Sequence, residues 1–83
     1  MAADTAKQVL EHIVRSVVEN PDAVQVEVGD PEGENVRLDV RVGQGDMGRV
    51  IGKRGRVAHA IRTVVRAAAV RDDCTVDVEF VDE

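Results

Sequence analysis

The chain has 83 residues, a net charge of −5 and 43% hydrophobic side chains. A chain this short makes one domain with a small core, too small to enclose a deep active site. Cys74 is the only cysteine, so no intrachain disulfide can form. No apolar run reaches the ~18 residues of a membrane span, and the first residues lack the basic and apolar regions of a signal peptide. A cytoplasmic protein is expected.

Asp4 or Thr5 is placed to cap a first helix. Val9, Leu10, Ile13, Val14, Val17 and Val18 then recur at helical period, and Asn20-Pro21 stops the run, predicting a helix over about 5–19. Residues 23–28 alternate apolar and polar, as do 36–42, and the glycine- and proline-bearing segment 29–35 between them is turn chemistry. The pair reads as a hairpin with one apolar and one polar face. Gly43-Gln44-Gly45 breaks the second strand, and Asp46 is placed to cap a short helix through Ile51. After Gly52–Gly55 a longer helix is predicted over about 56–70, with Val57, Ala60, Ile61, Val64, Val65 and Ala68 as its apolar face. His59, Arg62 and Arg66 fall on another face. Asp72-Asp73 ends that helix, and residues 75–81 alternate as a third strand, with Val76, Val78 and Phe80 on one side.

The order is α-β-β-α-α-β. Three short strands and three helices predict an α+β two-layer domain in which the helices cover the apolar face of one sheet. The 32-residue crossover between the second and third strands is long enough for a parallel pairing, which would make the sheet mixed. Residues 1–83 show no repeat, linker or low-complexity tract and read as a single domain.

The charge is unevenly placed. Residues 47–71 contain seven bases (Arg49, Lys53, Arg54, Arg56, Arg62, Arg66, Arg71) and no acid, while the rest of the chain has four bases and sixteen acids. Positive charge confined to one loop and one helix of an acidic protein points to a phosphate backbone as its partner. The loop itself, Val50-Ile51-Gly52-Lys53-Arg54-Gly55, supplies a physical reason. Glycine tolerates backbone angles other residues resist, and without a Cβ it admits a sugar-phosphate chain against the loop backbone. The next helix turns its N-terminal amides and the positive end of its dipole toward those phosphates.

The loop and the element order together resemble the KH domains, and the order is that of the type II, bacterial variant, in which the glycine loop clamps about four unpaired nucleotides. A single domain of this length, with Gly48 through Arg56 followed by His59-Ala60-Ile61-Arg62, is similar to the KhpA family of small bacterial RNA-binding proteins. The resemblance implies no catalysis and no cofactor. It implies binding of single-stranded RNA, as an RNA chaperone or post-transcriptional regulator, with a bearing on cell shape and cell wall regulation. It also implies homodimers and a KhpB-like KH partner, with no membrane. On this reading Gly52 and Gly55 allow close approach, Lys53 and Arg54 carry phosphate charge, Arg49 and Arg56 support them, and Ile51 lies on the apolar floor of the groove. Spacing alone leaves open which of Val50 and Ile51 faces the groove and which the core. It also leaves open whether His59 or Arg41 reaches the RNA.

Three other readings are weaker. Gly43-Gln44-Gly45-Asp46-Met47-Gly48 has the outward form of a dinucleotide fingerprint, but the acidic residue needed about 20 positions on is missing. His12, His59 and Cys74 have no neighbours at metal-ligand spacing. The third reading is a protein–protein module, serving a KhpB-type partner or a homodimer, in which the basic stretch meets an acidic partner surface and the domain has little RNA binding of its own.

Overall fold

A computed structural model describes residues 3–81. Helix α1 spans Asp4–Val17, strand β1 Gln25–Val28, β2 Asn35–Arg41, helix α2 Met47–Ile51, α3 Arg56–Ala69 and β3 Thr75–Phe80, with single 3-10 turns at Pro21–Ala23, Lys53–Gly55 and Val70–Asp72. The sheet order is β1-β2-β3. β1 pairs antiparallel with β2 in the register Val26↔Val40, and β2 pairs parallel with β3 in the register Leu38↔Val78. This is the mixed three-stranded sheet with helices on one face, in the α-β-β-α-α-β order of a type II KH domain.

Alternation along the strands produces the core. Val36, Leu38 and Val40 on β2, with Val76 and Val78 on β3, point into the helix layer and are buried, while Arg37 and Asp77 face solvent. Leu10 and Val14 of α1, Val50 of α2, and Ile61 and Val65 of α3 close over them. Burying each of the larger aliphatic side chains contributes about 1.5–3 kcal/mol.

Both ends of α1 differ from expectation, for one physical reason. Neither Asp4 nor Thr5 caps the helix. Ala3 stands at the cap position with φ 64°, and the carboxylate of Asp72 accepts the amides of Thr5 (3.2 Å) and Ala6 (3.0 Å). At the other end the helix stops two residues early. The carboxylate of Asp46, only 4% exposed, accepts the amides of Glu19 and Asn20, each at 3.1 Å, and draws the chain away from the helix axis. Asp46 is therefore not the side-chain cap of α2 that its position suggests. Two aspartates far away in sequence satisfy amides that local residues would otherwise have to satisfy.

Strand β1 is shorter than its alternation implies. Pro21 starts a 3-10 turn in which the amides of Ala23 and Val24 bond to Asn20 and Pro21 carbonyls, so pairing begins at Gln25. The buried side of α3 is also rotated from the predicted one. Ala58, Ile61, Val65 and Ala69 are buried, whereas Ala60 and Val64 are exposed, Val64 by 48%. The small residues Ala58 and Ala69 let the helix lie close, and the larger apolar residues beside them are left at the rim.

Candidate nucleic-acid interface

Helix α2 ends at Gly52, whose amide bonds back to the Gly48 carbonyl at 2.9 Å. The chain then turns through Lys53–Gly55 and enters α3. Positive φ recurs here: Gly52 at 74°, Arg54 at 60° and Gly55 at 75°. At Gly52, with ψ 178°, a Cβ would also stand 2.4 Å from Val57 Cγ2, so this position needs glycine for both angle and room. Gly55 differs, because nothing lies within 4 Å of a Cβ built there. That side of the loop is open. Within the turn Gly55 N–H donates to Gly52 O (3.3 Å) and Arg56 N–H to Lys53 O, which leaves the amides at the start of the turn without intrahelical acceptors.

Lys53, Arg54 and Arg56 are exposed and make no ion pair among the described residues. Arg49 is different. Its guanidinium pairs with Glu19 and lies 3.6 Å from Asp46, so its charge is largely spent on holding α2 to the end of α1. The pair Val50-Ile51 is resolved: Val50 is fully buried in the core, and Ile51 is half-buried at its margin, beside the loop. Arg41 pairs with Glu27 across the β1–β2 hairpin at 2.6 Å, on the solvent face of the sheet. His59 and His12 are exposed, and the described residues hold no cluster that fits a metal ion. Cys74 is half-buried just before β3, and burial pushes its thiol pKa up, away from thiolate chemistry. Residues Gly43–Asp46 form a turn closed by Asp46 N–H to Gly43 O at 3.0 Å, joining β2 to α2 as the fingerprint's structural alternative requires.

The topology places the loop. Because β2 and β3 run parallel, α3 returns antiparallel to β3, and its N-terminus lies at the Phe80 end of that strand. β3 is an edge strand, so its outer side faces the basic side of α3. Arg62 spans the two: its Nε–H donates to the Val78 carbonyl at 3.1 Å, and its guanidinium carbon stands 5.2 Å from the centre of the Phe80 ring. Further along, Arg66 borders a hollow with Thr75, Val76 and Asp77. By helical spacing Arg62 falls with His59 and Arg66 on a face other than the apolar one, with no contact assigned to it. The signal was available in the spacing, since Gly55, His59, Arg62 and Arg66 follow one another by four, three and four residues and so share a stripe.

Comparison with known proteins agrees with this arrangement. Residues 7–80 match the family described as KhpA/KhpB, KH domain. The chain is 49% identical over 75 residues to the RNA-binding protein KhpA of Clostridium acetobutylicum, covering 90% of this chain and 99% of that one. It is 46% identical over 76 residues to the RNA-binding protein KhpA of Streptomyces coelicolor, covering 92% and 91%. Among solved structures, an Aquifex aeolicus Era variant bound to GDP and aluminium fluoride superposes with a TM-score of 0.68 at 16% identity, over 90% of this chain and 29% of the Era chain, a likeness of fold. With the glycine loop, the mixed sheet and relatives matched nearly end to end, the chain belongs to the KhpA/KhpB family of KH domains.

Proposed function

We propose that this protein binds single-stranded RNA without catalysing a reaction on it. The RNA backbone runs along Gly52–Gly55, and its bases turn toward Ile51 and the open edge of β3. The observation that carries this reading is the loop: three positive-φ residues, an open face at Gly55, and three exposed cations with no partner among the described residues. The relatives' description as RNA-binding proteins supports it. Lys53, Arg54 and Arg56 carry the phosphate charge, and Arg49, already paired, mainly holds α2 in place. The cation-bearing segment stands in a body of −12, so RNA is attracted to this side and repelled from the sheet face, where Glu27, Asp39 and Glu79 line up in register. The roles in keeping with this reading are those of an RNA chaperone or post-transcriptional regulator in the cytoplasm.

A second reading has its own observation. Ile13, Val17, Val57, Ala60, Ile61 and Val64 line an almost wholly apolar trough of about 330 Å³ between α1 and α3. A homodimer, or a pair with a KhpB-like partner, would use this face. Two loops in one assembly would raise the affinity for a longer RNA through effective concentration. The test is fluorescence anisotropy on a labelled single-stranded RNA, comparing the wild type with Lys53→Asp/Arg54→Asp. Loss of binding in a folded variant is expected; unchanged affinity refutes the loop assignment.

A further inference from the structure

Resting on the reading that RNA follows the glycine loop, we propose that Arg62 is a base-reading residue of this groove and selects, at one position, the bases with two adjacent acceptors, guanine and cytosine, over adenine and uracil. Its placement comes first. The stripe from Gly55 through His59 and Arg62 to Arg66 runs along the outer edge of β3, and Arg62 lies on it two turns beyond the loop, on the side where bases leave the backbone.

Its chemical state comes second. Arg15, Arg37 and Arg49 each sit against a carboxylate, as surface arginines commonly do. Arg62 has no carboxylate partner among the described residues, yet the residue is half-buried and its guanidinium is held. Nε–H is bonded to the Val78 carbonyl, and the Phe80 ring lies against the group at 5.2 Å. Those two contacts fix the plane and leave the Nη1/Nη2 end as a fork of parallel donors.

The fork matches two bases. Guanine presents O6 and N7 as adjacent acceptors, and cytosine presents O2 and N3 on the edge that an unpaired strand exposes; adenine presents N7 beside an amino donor, and in uracil the N3–H donor separates O2 from O4. A lysine at position 62 would keep the charge but lose the planar fork. A purely structural Arg62, masking the free edge of β3, predicts no dependence on the base.

The experiment is anisotropy with short labelled uridine-rich RNAs, each carrying one guanosine, inosine, cytidine, 7-deazaguanosine or adenosine at a scanned position. Inosine retains O6 and N7, whereas 7-deazaguanosine lacks N7. At one position the wild type is expected to bind guanosine, inosine and cytidine about tenfold more tightly than 7-deazaguanosine and adenosine. Arg62→Lys is expected to lose that preference while binding the all-uridine RNA with an unchanged salt slope. Equal affinity for the five substituents at every position overturns the inference and leaves the loop reading standing. So does a uniform weakening in Arg62→Lys with a shallower salt slope, which marks a phosphate contact. Absence of RNA binding by the wild type, at concentrations where it is folded, overturns both. The base series uses the wild-type chain and does not depend on how any variant folds.

Discussion

Replacing Gly52 by alanine puts a methyl group where the structure has no room for one. The backbone there, at φ 74° and ψ 178°, lies in a region that glycine alone visits readily, and holding another residue in it costs about 1–3 kcal/mol. The new Cβ would meet Val57 Cγ2 at 2.4 Å, Val57 Cβ at 2.8 Å and Val57 N at 3.0 Å. Two of those three atoms are on or next to the backbone of α3, so no side-chain rotation clears them, and such overpacking costs a further ~1–3 kcal/mol. Together these are about 2–6 kcal/mol out of the ~5–15 kcal/mol that stabilises an ordinary domain. Gly55→Ala is the matched control. Its φ is also positive, at 75°, but ψ is 13° and the space is empty, which leaves only the left-handed helical penalty of about 1–2 kcal/mol. Urea unfolding followed by far-UV circular dichroism separates the two. With an m of about 1 kcal/mol/M, Gly52→Ala lowers the midpoint by ~1 M or more beyond Gly55→Ala. Adding Val57→Ala to Gly52→Ala removes Cγ2 but not Cβ or N, so the pair is non-additive and recovers part of the loss. Equal midpoints for the two glycine variants, or strict additivity with Val57→Ala, refute the steric reasoning.

Two further outcomes follow from the ends of α1 and from its apolar flank. The amides of Ala6 and Thr5 hold the Asp72 carboxyl below its usual pKa of 3.8, against the opposing effect of burial. A depressed folded pKa means that this contribution is complete above the unfolded value and lost as pH falls through the folded one. The stability gap between wild type and Asp72→Asn should therefore be full at about pH 7 and close toward about pH 2; a gap that stays constant removes Asp72 from the acid response. Val64→Asp places a charge at the centre of the apolar trough, on a side chain already 48% exposed. The monomer should stay folded, with stability changed by less than about 1 kcal/mol, and sedimentation should show the dimer lost; a wild type that sediments as a monomer at high concentration rules out this face as a self-association surface.

Much of the fold was legible because the periods are clean. Alternation marked all three strands and their buried faces, and helical spacing marked α1 and α3. The glycine loop announced itself through chemistry that little else explains. Where the reading missed, groups distant in sequence had intervened. The apolar arc of α3 is wider than its contact with the sheet and α1, so composition alone could not tell that Ala58 and Ala69 are inside while Ala60 and Val64 are outside. The pairing of Arg49 with Glu19 was likewise not visible, because the two lie 30 residues apart.

Element order, the apolar faces of the strands, the separation of charge and the position of the glycine loop can all be read from local spacing, because each depends on neighbours within a turn or a strand. It takes the assembled fold to make Val50 core and Ile51 marginal, to tie α1 down at both ends through Asp46 and Asp72, and to rest Arg62 on the edge of β3. Each of those depends on which surfaces meet once the parallel crossover has brought α3 back along the sheet, and local spacing carries no record of that meeting.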